Sequence, residues 1–233
     1  MGKQYDVRFG AEGPLSLADG GCDMIANRHQ ARHAMLVDSF RHVIADSTVL
    51  FLGAEDGRWC CDMAAAGALR VIGAEENADL VNAFLRLPGV GMRERIDMRV
   101  ADPLMLLVDE VRAKAQHDVV VLFDVLEDEA DLHAVLAQIA ALSPLMVLGD
   151  GLFARTDVPL LRIEKHRGPV SGRERPRLIP SRGALSMAAE AAGFEVDWAD
   201  WDMLPEHVRG GLSDYYQSGP MVRASFTLLP QDR

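Results

Sequence analysis

Residues 48–77 read TVLFLGAEDGRWCCDMAAAGALRVIGAEEN. Two apolar runs, 49–52 and 71–74, flank a turn with two glycines and a segment of helical character. Short apolar runs bounded by turn residues are typical of buried strands, so this stretch predicts strand, turn, helix and strand. Backbone N–H groups at such a turn, beside a helix N-terminus, can hold a ligand. An acid about 20 residues after the turn can accept hydrogen bonds from a ribose, and Glu75 stands at that distance from Gly53.

The alternation of strand and helix continues to residue 150. Segments 95–100, 119–123 and 145–148 predict three more strands. The run 119–123 is uninterrupted, which is typical of a parallel strand with helices on both of its faces. The repeated order predicts an α/β, Rossmann-like doubly wound fold, whose ligand binds at the carboxyl ends of the strands. The residues predicted at or just beyond those ends are Gly53, Glu75, Asp102, Asp124 and Asp150.

The first turn and second strand resemble motifs I and II of class I S-adenosylmethionine-dependent methyltransferases. Residues 53–59, Gly-Ala-Glu-Asp-Gly-Arg-Trp, are similar to a variant of motif I, and Glu75 matches the acid of motif II. Two positions depart from the usual pattern. Phe51 stands where an acid is common, and Glu55 stands where the central glycine is common. The resemblance covers residues 48–150, and more loosely 181–229.

The resemblance implies a seven-stranded sheet, mostly parallel with an antiparallel last strand and helices on both faces. It also implies S-adenosylmethionine as the cofactor, with Glu75 at the ribose and Asp102 at the adenine. Asp102 has a second interpretation, because an acid before Pro103 is a good helix N-cap. The predicted cofactor-binding residues are Gly53, Ala54, Glu55, Asp56, Gly57, Glu75, Asp102 and Asp124.

Transfer of a methyl group to a hydroxyl or nitrogen acceptor can need a base. The candidates are Asp124, Asp150 and His29. Asp124 follows the fourth predicted strand and resembles motif IV, but it could instead cap a helix predicted to begin at Glu127.

Two basic segments favour a small, anionic acceptor. Arg28, His29 and Arg32 lie on a helical pattern over residues 22–44, and they either form a solvated face or lean over the site to contact substrate. Residues 153–182 gather eight basic side chains, and they form either a flexible insertion or a lid that attracts an anion. Arg155 is the substrate candidate from that segment.

We predict a single domain over residues 1–233, because no linker or repeat divides the chain. Its predicted parts are an N-terminal arm and helical cap (1–47), a cofactor-binding core (48–150), a basic substrate loop (151–182) and a C-terminal helix with strands (183–233).

Composition limits the partners. The net charge of −11 disfavours non-specific binding to nucleic acid or anionic membrane. Three cysteines without further ligands at suitable spacing indicate no metal site, and the N-terminus lacks a signal pattern, so we predict a cytoplasmic protein. The sequence does not indicate an oligomeric state. Three alternatives to a small-molecule methyltransferase remain open: a non-catalytic binding protein with a degenerate motif I, an RNA-modifying methyltransferase, and a nicotinamide-dependent oxidoreductase.

Overall fold

The structure, a computed structural model, describes residues 24–84, 86, 90–127, 129–167 and 174–231. The strands of this part of the chain are β1 Thr48–Leu52, β2 Arg70–Glu75, β3 Ile96–Val100, β4 Val119–Phe123, β5 Met146–Ala154, β6 Leu161–Arg167, β7 Glu174–Pro180, β8 Phe194–Trp198 and β9 Met221–Pro230. Seven of them form one sheet in the order β3-β2-β1-β4-β5-β9-β8. Strand β9 is antiparallel to both of its neighbours, and the other pairs are parallel. The predicted mostly parallel sheet with an antiparallel last strand is confirmed.

Helices cover both faces of this sheet. They are α1 Met24–Leu36, α2 Arg41–Ile44, α3 Arg58–Ala65, α4 Ala78–Phe84, α5 Val90–Arg93, α6 Pro103–Arg112, α7 Leu132–Ala141, α8 Arg182–Ala191 and α9 Ser213–Tyr216. Alternate residues of β1 point to opposite faces, so Phe51 packs in a cluster with Phe40 and Met63, whereas Leu50 packs in a second cluster with Leu136. Burial of each such side chain stabilises the fold by about 1.5–3 kcal/mol.

Of the two caps suggested by the sequence, the one at Asp102 is present and the one at Asp124 is not. Asp102 caps α6, since its Oδ1 accepts from the Met105 N–H at 2.9 Å. Ser181 caps α8 by accepting from the Ala184 N–H at 3.0 Å. The helix after β4 was predicted to begin at Glu127, and Asp124 was its cap in one of two interpretations. It begins instead at Leu132, and its cap is Asp131, which accepts from Ala134.

Strand β5 is longer than the predicted strand over residues 145–148. It extends to Ala154 because β9 pairs with it in antiparallel register as far as Met221. Asp150 therefore lies inside a strand, opposite Ser225, and not in a loop beyond a strand end. The prediction that Asp150 follows the end of its own strand is wrong for this reason, although Asp150 pairs with Phe123, the last residue of β4.

The predicted basic loop contains a β-hairpin. Strands β6 and β7 pair in antiparallel register from Leu161 opposite Pro180 to Arg167 opposite Glu174. Residues 168–173, which include Arg173 of the basic segment, lie outside the described residues. Residues 1–23 of the predicted N-terminal arm and helical cap, which include the first two residues of the helical pattern, also lie outside them.

Among the described residues, no helix combines the length and the hydrophobicity that a bilayer span requires.

Candidate functional site

A cavity of about 540 Å³ opens at the carboxyl ends of β1, β2, β3 and β4. Its volume is within the range of small-molecule sites. Parallel strands end at the same edge of the sheet, and this edge gathers four of the predicted strand-end residues, Gly53, Glu75, Asp102 and Asp124. The remaining lining residues are Glu55, Glu76, Leu80, Pro103, Leu104, Phe123, Val125, Glu127, Glu129 and Arg177.

The turn after β1 has an unusual backbone that its sequence explains in part. Gly53 has φ of 79°, and a Cβ there would lie 2.2 Å from the carbonyl oxygen of Phe123. Only glycine tolerates both conditions. Glu55 also has positive φ, at 49°, a conformation that non-glycine residues adopt uncommonly. The turn therefore packs directly against the end of β4. Glu55 has a left-handed backbone conformation that glycine would adopt more easily.

Other predicted residues of this turn do not reach the first cavity. Ala54 is fully buried, and its N–H donates to the Ala74 carbonyl at 2.9 Å. The N–H of Gly57, the N-cap residue before α3, donates to the Ala54 carbonyl at 2.9 Å. The structure therefore gives neither N–H to a ligand. Asp56 lies beside Arg58, with its Oδ2 2.8 Å from Nε, and lines a different cavity.

Glu75 orders the turn while it lines the cavity. Its Oε2 accepts from the Glu55 N–H at 3.2 Å, and its Oε1 accepts from the Asn77 N–H at 2.9 Å. A carboxylate has about four lone-pair sites, so each oxygen can accept one hydrogen bond more. Glu75 can therefore receive two hydroxyl donors without releasing the backbone.

Part of the cavity lining is an apolar wall. Leu80, Pro103, Leu104 and Val125 line the same cavity as Asp102. Asp102 uses Oδ1 as the cap of α6, and no described residue donates a hydrogen bond to its Oδ2, which can therefore accept one from a ligand. Both interpretations of Asp102 are therefore compatible with the geometry, since one carboxylate can serve both roles.

The cavity is strongly acidic. Among the described residues that line the cavity, Arg177 of β7 is the one basic residue. Arg177 forms an ion pair with Glu127. Glu127 also accepts from the Leu152 N–H at 2.9 Å, so this pair ties the hairpin to the site. Desolvation lowers the pKa of Arg177. The acidic lining residues are Glu55, Glu75, Glu76, Asp102, Asp124, Glu127 and Glu129.

Several solved structures are similar in fold to this chain over most of its length. A candidate S-adenosylmethionine-dependent methyltransferase from Listeria monocytogenes has a TM-score of 0.60 at 13% identity, covering 90% of this chain and 100% of that chain. The 1,6-didemethyltoxoflavin-N1-methyltransferase of Burkholderia thailandensis was solved with bound 1,6-didemethyltoxoflavin and S-adenosylhomocysteine. It has a TM-score of 0.56 at 20% identity, and the match covers 90% of this chain and 80% of that chain. This chain has the class I methyltransferase fold. The [4+2]-cyclase SpnF also has a TM-score of 0.56, at 17% identity, covering 96% and 91%. No protein-family model matches the sequence, and a search of curated proteins finds no match.

Within this methyltransferase fold, Asp150 is part of a buried polar network. The residue is 2% exposed, its Oδ1 accepts from Arg32 at 2.9 Å and from Arg223 at 2.6 Å, and its Oδ2 accepts from Tyr215 at 2.7 Å and from Ser225. Desolvation, together with the charge of Asp150, raises the pKa of Tyr215 well above its ordinary value. Two guanidinium groups stabilise the Asp150 anion, and both oxygens are occupied. This arrangement disfavours Asp150 as a base.

Asp124 lines the cavity but is also held by Arg223. Its Oδ1 accepts from Nη2 at 2.7 Å and its Oδ2 from Nη1 at 3.0 Å, a bidentate pair. The backbone of Asp124 has φ of 54°, and its N–H donates to the Asp150 carbonyl at 2.9 Å. Asp124 is therefore an acceptor whose orientation is fixed, and use of it as a base would compete with the pair to Arg223.

The predicted residues of α1 line a second cavity of about 460 Å³. Arg28 pairs with Asp214 through both carboxylate oxygens, at 2.7 and 2.9 Å. Arg32 lies 4.9 Å from the centre of the Trp59 ring and is largely buried, which excludes a solvated face for this residue. His29 Nε2 lies 3.0 Å from a carboxylate oxygen of Asp62. The second cavity shares Glu55 and Leu80 with the first.

Arg155 is not brought to either cavity. It is exposed, and its guanidinium donates to the Gln217 carbonyl. The structure therefore gives no support to Arg155 as a substrate residue.

Three residues at or beside the site, Arg177, Arg223 and Tyr215, were not among the predicted site residues. A signal for Arg223 was present, because Arg223, Ser225 and Thr227 alternate with apolar residues along β9. Polar residues at a spacing of two on a central strand indicate one polar face.

Proposed function

We propose that this protein is an S-adenosylmethionine-dependent methyltransferase that acts on a small-molecule acceptor. One observation carries the proposal: Gly53, Glu75, Asp102 and Asp124 line a single cavity at the carboxyl edge of a methyltransferase-type sheet. This edge is where open α/β sheets bind their ligands.

The described residues fit an adenosine group. The two oxygens of Glu75 have capacity for the two ribose hydroxyls, and the wall of Leu80, Pro103 and Leu104 suits an adenine ring beside Asp102. When bound, S-adenosylmethionine supplies a methyl group that its sulfonium makes electrophilic. The protein then has to orient the acceptor, and alignment of reactants accounts for much of the rate of such a step.

The acidic lining supports a positively charged cofactor and disfavours RNA. Six carboxylates of the lining besides Glu75 face the cavity, with Arg177 as their basic neighbour. Complementary potential attracts a sulfonium cation, whereas it repels a phosphate backbone. The same charge argues against an acceptor that is strongly anionic inside this cavity, so an anionic group would have to contact the cationic second cavity or Arg177.

Ligand binding tests the proposal directly. We expect S-adenosylmethionine and S-adenosylhomocysteine to raise the melting temperature and to give saturable heats in isothermal titration calorimetry. NAD⁺ is the control, because the turn lacks the glycines of a dinucleotide site. Absence of binding at millimolar S-adenosylhomocysteine would contradict the proposal.

A second candidate is a binding or non-transferring role on the same fold. It is favoured by the pairing of Asp124 and Asp150 with Arg223, which occupies two of the predicted bases. The structural neighbour SpnF is a [4+2]-cyclase. Incubation with radiolabelled S-adenosylmethionine and a metabolite extract separates the two candidates. Binding without incorporation of the labelled methyl group would favour the second.

Glu75→Ala should weaken S-adenosylhomocysteine binding by about 1–3 kcal/mol, because hydrogen bonds to a charged acceptor are lost. Glu75→Gln, which keeps one acceptor oxygen, should lose less. Calorimetric titration measures both, and Glu195→Ala on the distant strand β8 is the matched control. An affinity equal to that of the unsubstituted protein would remove Glu75 from the binding site.

A further inference from the structure

The two adjoining cavities differ in charge. The first is lined by carboxylates with Arg177 as their basic neighbour, whereas the second is lined by Arg28, His29, Arg32 and Arg58 with two acids. Glu55 belongs to both linings. A ligand that crosses from one cavity into the other therefore passes Glu55 and then enters a cationic region.

The negative charge of Glu55 is poorly compensated. Desolvation raises the pKa of its carboxyl, and the charge of Asp124 raises it further. Arg32 lowers the pKa of Glu55, but its guanidinium donates to Asp150 and stacks on Trp59. No guanidinium of the described residues is bound to the Glu55 carboxylate, so a ligand cation beside Glu55 could form an ion pair with it.

Arg58 is the exposed cation of the second cavity. Its side chain is 62% exposed, and it contacts Asp56 through Nε. Arg28 and Arg32 are less exposed and each pairs with a carboxylate, Asp214 and Asp150 respectively. The fork of a guanidinium suits a carboxylate ligand, and Arg58 is the arginine best placed to offer it.

The end of β1 and the first two residues of the turn, positions 51–54, contain no acidic residue. Phe51 is fully buried, with its ring edge-on to Phe123 at 5.1 Å between centroids. Trp59 contacts Phe123 in the same way, at 5.2 Å, so this part of the site is an aromatic cluster. Glu55 is the acid that the turn presents at the border of the two cavities.

We propose that the second cavity binds the α-amino-acid end of the cofactor, with Glu55 receiving its ammonium group and Arg58 its carboxylate. The inference rests on the proposed function, which places the adenosine in the first cavity. It assigns a binding role to the side chain that stands in place of the central motif I glycine.

Calorimetry with two ligands tests this assignment without any turnover. S-adenosylhomocysteine carries the amino-acid end, and 5′-methylthioadenosine has the same nucleoside and sulfur without it. We expect Glu55→Gln to weaken S-adenosylhomocysteine about tenfold and to change 5′-methylthioadenosine less than about twofold, since one charged contact is lost. Arg58→Gln should act in the same direction. Glu94→Gln, an exposed acid outside both cavities, is the control.

Glu55→Gly provides a variant whose folding is secure, because glycine adopts the positive φ of this position without strain. It should lose S-adenosylhomocysteine affinity as Glu55→Gln does. Equal losses for both ligands, or no loss in either variant, would overturn the inference. If the unsubstituted protein binds both ligands equally well, the inference fails and the proposed function stands. If it binds neither, the proposed function itself fails.

Discussion

Replacement of Arg223 by methionine should lower the free energy of unfolding by about 3–5 kcal/mol, the usual cost of removing one partner from a buried ion pair. Arg223 contacts three carboxylates, with Asp150 at 2.6 Å, Asp124 at 2.7 Å and Asp214 at 3.0 Å. The side chain of Asp150 has no exposed surface, so its charge would remain buried with Arg32 as the remaining cation. Urea denaturation measures the effect.

The control for this experiment is Arg112→Met. Arg112 is 74% exposed and lies 3.6 Å from Asp109 on the same helix, so its loss should cost less than about 1 kcal/mol. Addition of Asp150→Asn to Arg223→Met should recover part of the lost stability, because the unpaired charge is then removed. A loss for Arg223→Met as small as that for Arg112→Met would show that the network does not stabilise the fold.

Replacement of Gly53 by alanine should have the largest combined effect on the fold and the site. The φ of 79° is unfavourable for alanine, and the added Cβ would lie 2.2 Å from the Phe123 carbonyl oxygen. Positive φ and overpacking together should cost about 2–4 kcal/mol in the free energy of unfolding. Because the clash pushes the turn away from β4, S-adenosylhomocysteine affinity should fall more than about 100-fold, as small displacements at a site can do.

The matched substitution is Gly91→Ala. Gly91 lies in α5, and a Cβ there would meet no atom of the described residues within 4 Å. Alanine is favoured over glycine in a helix by up to about 1 kcal/mol, so this variant should be as stable as the original or more so. Thermal unfolding and calorimetry with S-adenosylhomocysteine compare the two variants. Retention of ligand affinity by Gly53→Ala would mean that the turn does not form part of the site.

The sequence predicts the sheet well because each of its signals is local. Residues 119–123 are apolar without interruption, and β4 is buried along its whole length. The turn at Gly53 and the acid at Glu75 are separated by a distance that one strand–helix–strand unit determines. The antiparallel β9 followed from the family resemblance and is present from Met221 to Pro230.

The remaining features depend on partners that are far apart in the sequence. Asp150 looks like a strand-end acid, but β9 extends the strand past it and brings Arg223 to its carboxylate, 73 residues away. Asp124 looks like a helix cap for the same local reason, yet its carboxylate is bound to Arg223. Local patterns do not contain such pairings, so neither the interpretation of Asp124 as a helix cap nor that of Asp150 as a base took Arg223 into account.

The position of β9 between β5 and β8 affects how the chain folds during its synthesis on the ribosome. Strand β5 is nine residues long and buried along most of its length, and β9 pairs with it from Val147 to Ala154. While residues beyond 154 are still being synthesised, β5 is an unpaired apolar edge, which is a template for aggregation. The buried Asp150 also lacks two of its partners until Arg223 and Ser225 emerge. We therefore expect nascent chains halted before residue 221 to depend on chaperones.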